Sequence, residues 1–192
     1  MAITRLGGAN AITGTIPQGN IANASLGAIS ALPAGVGGKV LQVKQTVKTD
    51  VFSSTSTSAV DVTGLSVSIT PASSSNKIYV YLSTYVGHSN SDEVVALYLY
   101  RDSTLLYRGD ANGSMSRVSG GIHTTHGTTQ QNETFYSGIS YLDSPSSSSS
   151  LTYKIQGNTI LGTFFVNKAG STYTGVERTA HSSSITVWEI AG

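Results

Sequence analysis

From residue 39 to the end of the chain, apolar and polar residues alternate with a period of two. The segment Leu65–Ile69 is the clearest example, because aliphatic residues alternate there with serine until Pro71 ends the run. Such alternation is typical of half-buried β-strands. No window shows a helical period longer than two turns, and turn signals such as Gly120-Gly121 separate the runs. The sequence therefore predicts an all-β domain over residues 39–192, an antiparallel β-sandwich of the jelly-roll type.

Residues 1–38 differ in composition from the domain that follows them. Glycines and other small residues run through this segment, isoleucines occur singly, and Arg5 is its one charged residue. The segment is too rich in glycine for a stable helix and too apolar for an ordinary solvated tail. We predict an extended N-terminal arm for anchoring and oligomerisation. Its isolated isoleucines are expected to be buried against a partner: Ile12, Ile16, Ile21 and Ile29.

The composition excludes several classes of function. Charged residues make up 11% of the chain, against about 25% in a typical soluble domain. The net charge of +1, without any basic run among aromatic residues, predicts no binding to nucleic acid. The lack of cysteine excludes disulfides and thiolate metal sites. No apolar run has the length of a signal peptide or of a membrane span, so we predict no membrane insertion.

Two predicted strands are apolar on both faces. In residues 78–82 and 97–100, aliphatic residues alternate with tyrosines, so that one face of each strand is aliphatic and the other aromatic. A sandwich needs only one apolar face per sheet, and the tyrosine face therefore requires a cover. A subunit interface, a covering loop, an exposed tyrosine stripe and a sugar-stacking face all fit this pattern. The candidate residues of an oligomer interface are Tyr79, Tyr81, Tyr98 and Tyr100.

Residues that could carry chemistry are few. His123 and His126 have no carboxylate near them in the sequence, so they form an incomplete metal site unless neighbouring chains complete it across a symmetry axis. Asp92 and Glu93 are adjacent carboxylates, which would point to opposite faces of an extended chain. A nucleophile elbow and a phosphate-binding loop are both missing from the sequence. We therefore predict no enzyme activity, no catalytic residues, no metal and no cofactor.

Residues 108–134 and 167–184 lack a clear strand pattern and are rich in Gly, Ser and Thr. Long excursions of this kind within a compact fold are often functional loops. They are the regions that would face a receptor. The candidate receptor-facing residues are Arg117, His123, His126 and Tyr173.

Three stretches of the chain form a recognisable set: residues 41–82, residues 138–156, and the closing ITVWEIAG at 185–192. Together, and in this order, they resemble a module found in virion proteins of tailed bacteriophages, including phages of cyanobacteria. The shared motifs are signatures of strands and turns rather than of chemistry. In tail-fibre-like proteins of this kind, segments similar to NAITGTIPQGNIANASL (residues 10–26) precede a globular tip or connect modules, and three extended chains can wind together there.

This resemblance implies a non-enzymatic structural component located in the virion. The leading expectation is a short homotrimeric tail fibre or host-attachment protein whose loops contact a bacterial surface glycan. The alternative is a capsid decoration (cement) protein that clamps neighbouring capsid subunits, and a more remote one is a carbohydrate-binding lectin or a glycan hydrolase. The expected partners are two further copies of the chain and, through the arm, other virion proteins. Tail or capsid location and strand order stay open.

Overall fold

The computed structural model describes residues 39–124, 132–170 and 179–192. The predicted arm and its four isoleucines lie outside these residues. The described part of the chain contains no α-helix, and hence none that could span a membrane. Its strands are β1 (Val40–Lys48), β2 (Phe52–Ser54), β3 (Val60–Ile69), β4 (Lys77–His88), β5 (Val94–Arg101), β6 (Thr104–Leu106), β7 (Gly120–His123), β8 (Phe135–Asp143), β9 (Leu151–Thr159), β10 (Phe164–Val166) and β11 (Ser183–Ile190).

These strands form two antiparallel sheets. In sheet A, β8 pairs with one edge of β4, while β11 and then β10 pair with the other edge. Beyond them lie β1, paired with β11, and β2, paired with β10. In sheet B, β9 lies between β3 and β5, and both β6 and β7 pair with the free edge of β5. Each sheet is thus about four strands wide. In sheet A, β10 lies on the same side of β4 as β11, and in sheet B, β6 and β7 lie on the same side of β5.

This strand order is that of a jelly roll. The chain crosses from one sheet to the other between β2 and β3, β3 and β4, β4 and β5, β7 and β8, β8 and β9, and β9 and β10. The crossings bring strands that are distant in sequence side by side, as for β1 and β11. The antiparallel β-sandwich of jelly-roll type that the sequence predicts is confirmed.

The hydrophobic core lies between the two sheets and follows the alternation of the strands. On β4, Ile78, Val80 and Leu82 are fully buried, while the tyrosines between them face outward. On β9, Tyr153 and Ile155 point into the core in the same way. Burial of such a side chain stabilises the fold by about 1.5–3 kcal/mol. The two faces that the sequence predicts for residues 78–82 are therefore the faces that the fold uses.

A buried carboxylate at the end of β8 joins the two sheets. Asp143, on sheet A, accepts hydrogen bonds on one oxygen, Oδ2, from Arg101 Nη1 at 2.6 Å and from the hydroxyl of Tyr153 at 2.7 Å. Both donors belong to sheet B. Burial, together with the hydrogen bond to Asp143, raises the pKa of Tyr153, which keeps the phenol protonated and able to donate. These two hydrogen bonds link the two sheets at this end of the sandwich.

A second buried carboxylate holds the segment between β3 and β4. Glu189, on β11, is fully buried and accepts hydrogen bonds from Gln42 Nε2 at 2.6 Å, Ala72 N at 2.7 Å and Asn76 Nδ2 at 2.5 Å. Burial opposes ionisation of Glu189, but the hydrogen bonds from Gln42, Asn76 and the backbone of Ala72 outweigh it and lower its pKa. The charged carboxylate therefore ties a loop to two strands of sheet A.

The first residue of the predicted loop 167–184 belongs to the interior. Asn167 is buried with a φ of +67°, and its Nδ2 donates to the carbonyl oxygens of Lys48 at 2.9 Å and Asp50 at 3.0 Å. The hydroxyl of Ser183 donates to its Oδ1 at 2.6 Å. Asn167 thus fastens the start of this loop to sheet A.

Two short strands depart from the sequence prediction. Gly120-Gly121, predicted as a turn, begins strand β7 instead. Gly121 has a φ of +140°, and a Cβ placed on it would lie 2.2 Å from the carbonyl oxygen of Val95, so glycine is required where the two strands pass closely. The other short strand, β2, is only three residues long, and a period of two is not visible over that length.

Candidate functional site

The outer face of sheet A carries an apolar row that crosses four strands. Val43 on β1 pairs with Trp188 on β11, Trp188 with Tyr79 on β4, and Tyr79 with Leu142 on β8. The row is open to solvent, since Val43 is 50% and Leu142 48% exposed, and the rings of Tyr79 and Trp188 lie 5.5 Å apart. Exposed apolar residues that form one contiguous patch are candidates for a contact surface. We refer to these four residues as the apolar row.

An aromatic cluster lies further along the same face. The hydroxyls of Tyr81 and Tyr136 share a hydrogen bond of 2.9 Å, which raises the pKa of Tyr81. The ring of Tyr85 meets that of Tyr136 edge-on at 5.6 Å, and His181 stacks on Tyr85 at 4.1 Å. His181 Nε2 lies 2.8 Å from the hydroxyl of Thr134. Because these contacts hold the rings in place, the cluster presents a preformed aromatic surface.

The outer face of sheet B is polar by comparison. Tyr98 and Tyr100 lie on this face, opposite Gln156 and Lys154 of β9. Lys154 forms an ion pair of 2.9 Å with Asp61 on β3. The structure therefore places the four predicted interface tyrosines on two opposite outer faces of the sandwich. Tyr79 and Tyr81 share a surface with the apolar row, whereas Tyr98 and Tyr100 do not. An oligomer interface at either pair stays a prediction.

A groove of about 450 Å³ lies at one end of the outer face of sheet B. Its floor includes Ala96 on β5, which pairs with Asn158 on one side and Gly121 on the other. Ala96 and Gly121 are small and leave space above the sheet. Residues 114–118 fold over the sheet and form one wall of the groove, to which Met115 and Val118 contribute apolar side chains. Ile160, which is 67% exposed, completes the apolar lining.

Of the four predicted receptor-facing residues, one lines this groove and a second lies in the segment that forms its wall. His123 on β7 lines it and lies 3.6 Å from the carboxylate of Asp92. Arg117 supports the wall, because its Nε donates to the carbonyl oxygen of Gly109 at 2.6 Å. The other two candidates, His126 and Tyr173, lie outside the described residues.

The described residues bring together no recognisable catalytic set. Within residues 39–124, 132–170 and 179–192, no three His, Asp or Glu side chains are close enough to hold a metal ion. Asp92 has a φ of +62° and contacts His123, whereas the backbone of Glu93 bonds to Thr124. The arrangement supports binding by shape, apolar contact and a few hydrogen bonds.

No protein-family model matches the chain, and no curated protein sequence does so. Two solved structures, those of infectious bursal disease virus strains Gx and Gt, are similar to it, each with 14% sequence identity over 79% of this chain. Their TM-scores are 0.40 and 0.38, respectively. This chain spans 37% and 38% of the length of those two chains.

Proposed function

We propose that the protein is a non-enzymatic structural component of a virion that assembles as a homotrimer through the outer face of sheet A. The observation that carries this proposal is the apolar row, together with the aromatic cluster beside it. The phage-virion resemblance of the sequence points to the same class of protein. Within that class we favour a short tail fibre or host-attachment protein over a capsid decoration protein.

The chemistry of the apolar row supports assembly. Tyrosine and tryptophan are enriched at protein interfaces, where a large ring is buried and its polar tip still finds a partner. A β-sheet face is held rigid by its inter-strand hydrogen bonds, so little conformational entropy is lost when it docks. The row carries no charged side chain, and a neighbouring copy therefore covers it without burying an unpaired charge.

The choice of host attachment follows from the two faces of the sandwich. If the outer face of sheet A is covered in the assembly, the outer face of sheet B and its groove point the other way and remain open. A surface that stays accessible after assembly suits a receptor-binding protein. The number of copies per virion separates the two functions: a small multiple of three supports a tail appendage, and hundreds would support capsid decoration.

Charge placed in the apolar row tests the assembly surface. We expect the full chain to sediment as a trimer at equilibrium, and Val43→Glu and Leu142→Glu to weaken association by at least about tenfold, because each buries an unpaired carboxylate. Both positions are half exposed within one chain, so folding should be retained. Leu161→Glu is the matched control, an exposed leucine (61%) outside the row. A monomeric wild-type chain, or trimers unaffected by either charge, would contradict the proposal.

A further inference from the structure

We propose that Asn112, in the loop between β6 and β7, is a site of spontaneous covalent modification at which the side-chain amide is lost and aspartate and isoaspartate form in its place. Asn112 is the one asparagine of the sequence that is followed by glycine. The reaction consumes only water, so it requires neither the proposed assembly nor a receptor.

The chemistry is an attack of the backbone on the side chain. The nitrogen of Gly113, on losing its proton, bonds to Cγ of Asn112 and closes a succinimide ring. The bond between Cγ and Nδ2 breaks, and the amide nitrogen leaves as ammonia with that proton. Water then opens the ring at either carbonyl: opening at Cγ gives aspartate, and opening at the main-chain carbonyl gives isoaspartate. Nothing is oxidised or reduced.

Both reacting groups are free in the structure. Within the described part of the chain, no atom accepts a hydrogen bond from the N–H of Gly113, and the side-chain amide of Asn112 has no hydrogen-bond partner. A Cβ placed on Gly113 would meet no atom within 4 Å beyond its chain neighbours, so no other group shields the nitrogen. Residues 107–116 are all exposed and belong to no strand, which gives water access to the ring.

The other described asparagines are less reactive for two reasons. Each precedes a residue whose side chain crowds the attacking nitrogen, which glycine does not. Three of them also donate the side-chain amide to partners within the fold: Asn76, Asn158 and Asn167. Asn132 is the matched comparison, because it lies outside the strands and its amide has no partner among the described residues, but Glu133 follows it.

The product changes the segment that leads into the wall of the groove. Met115 N donates to the carbonyl oxygen of Asn112 at 3.1 Å, and Gly113 has a φ of +55° within this turn. In isoaspartate that carbonyl becomes a carboxylate outside the main chain, and the main chain between the two residues becomes one carbon longer. The turn before Met115 is therefore rebuilt, and a negative charge is added to a chain of net charge +1.

Peptide mapping by mass spectrometry, after incubation of the full chain in neutral buffer at physiological temperature, tests the proposal. We expect Asn112 to convert at a rate close to that in a synthetic peptide of residues 108–117, while Asn132 keeps its amide over the same time. The control variant is Asn112→Gln, which should also keep its amide, because its longer side chain must close a larger ring that forms more slowly.

Two results would overturn the proposal: conversion in the folded chain far slower than in the peptide, or conversion at Asn132 as fast as at Asn112. The rebuilt turn has its own measurement. The amide chemical shifts of Ser114 and Met115 should change more in the isoaspartate fraction than in Asn112→Asp, which adds the charge without lengthening the main chain. Equal changes in the two samples would refute the rebuilt turn.

Discussion

Replacing Asp143 with alanine is expected to lower the free energy of unfolding by about 3–5 kcal/mol. The substitution leaves the partly buried guanidinium of Arg101 and the buried hydroxyl of Tyr153 without the oxygen to which both donate. It also cuts the contact between the sheets at that end of the sandwich. Urea unfolding at constant protein concentration, followed by circular dichroism, measures the loss.

Two controls separate this network from a general effect of removing a carboxylate. Asp110→Ala, in an exposed loop, should change the stability by no more than about 0.5 kcal/mol. Adding Tyr153→Phe to Asp143→Ala should cost less than Tyr153→Phe alone, because the hydroxyl has already lost its acceptor. Equal losses for Asp143→Ala and Asp110→Ala would contradict the assigned role of Asp143.

Replacing Glu189 with glutamine is expected to lower the free energy of unfolding by about 2–3 kcal/mol at neutral pH. In the wild type both carboxylate oxygens accept hydrogen bonds, whereas the amide nitrogen of glutamine would face a donor and could accept none. The loss should depend on pH. The pKa of Glu189 in the folded chain lies below its ordinary value of 4.5, so the carboxylate stabilises the fold fully above that pH. This contribution disappears as the pH falls through the lowered pKa.

The difference in stability between wild type and Glu189→Gln should therefore be constant near neutral pH and shrink in acid. Urea unfolding at several pH values between 7 and about 3 measures it. Glu133→Gln, at an exposed position, is the control and should show no comparable difference. A Glu189→Gln deficit that stays unchanged down to the lowest pH would rule out the stabilising carboxylate.

The face assignment of β4 could be read from the sequence. Ile78, Val80 and Leu82 point into the core and Tyr79 and Tyr81 away from it, as the alternation predicts. This succeeds because side chains on a strand alternate between two faces whatever strand lies next to it. The alternation does not reveal strand β7 for a related reason: Gly120 and Gly121 have no side chains and so contribute nothing to the pattern.

The groove and the apolar row could not be found in the sequence. The groove requires Ala96, Gly121 and Asn158 side by side, and these residues lie on three strands that are far apart in the sequence. Val43 and Leu142 belong to no recognisable motif in the sequence. Single exposed aliphatic residues are common on protein surfaces, so neither is informative until its neighbours across the sheet are known.

By itself, the sequence determined that the domain is built of antiparallel strands and, for a strand such as β4, which side chains enter the core. Only the tertiary structure decided the strand order, which aligns Val43, Trp188, Tyr79 and Leu142 in one row and places Tyr98 on the opposite face. The physical reason is the range of the interactions. The period of two is a local property of the backbone, whereas strand order and register depend on hydrogen bonds and packing between residues far apart in the chain.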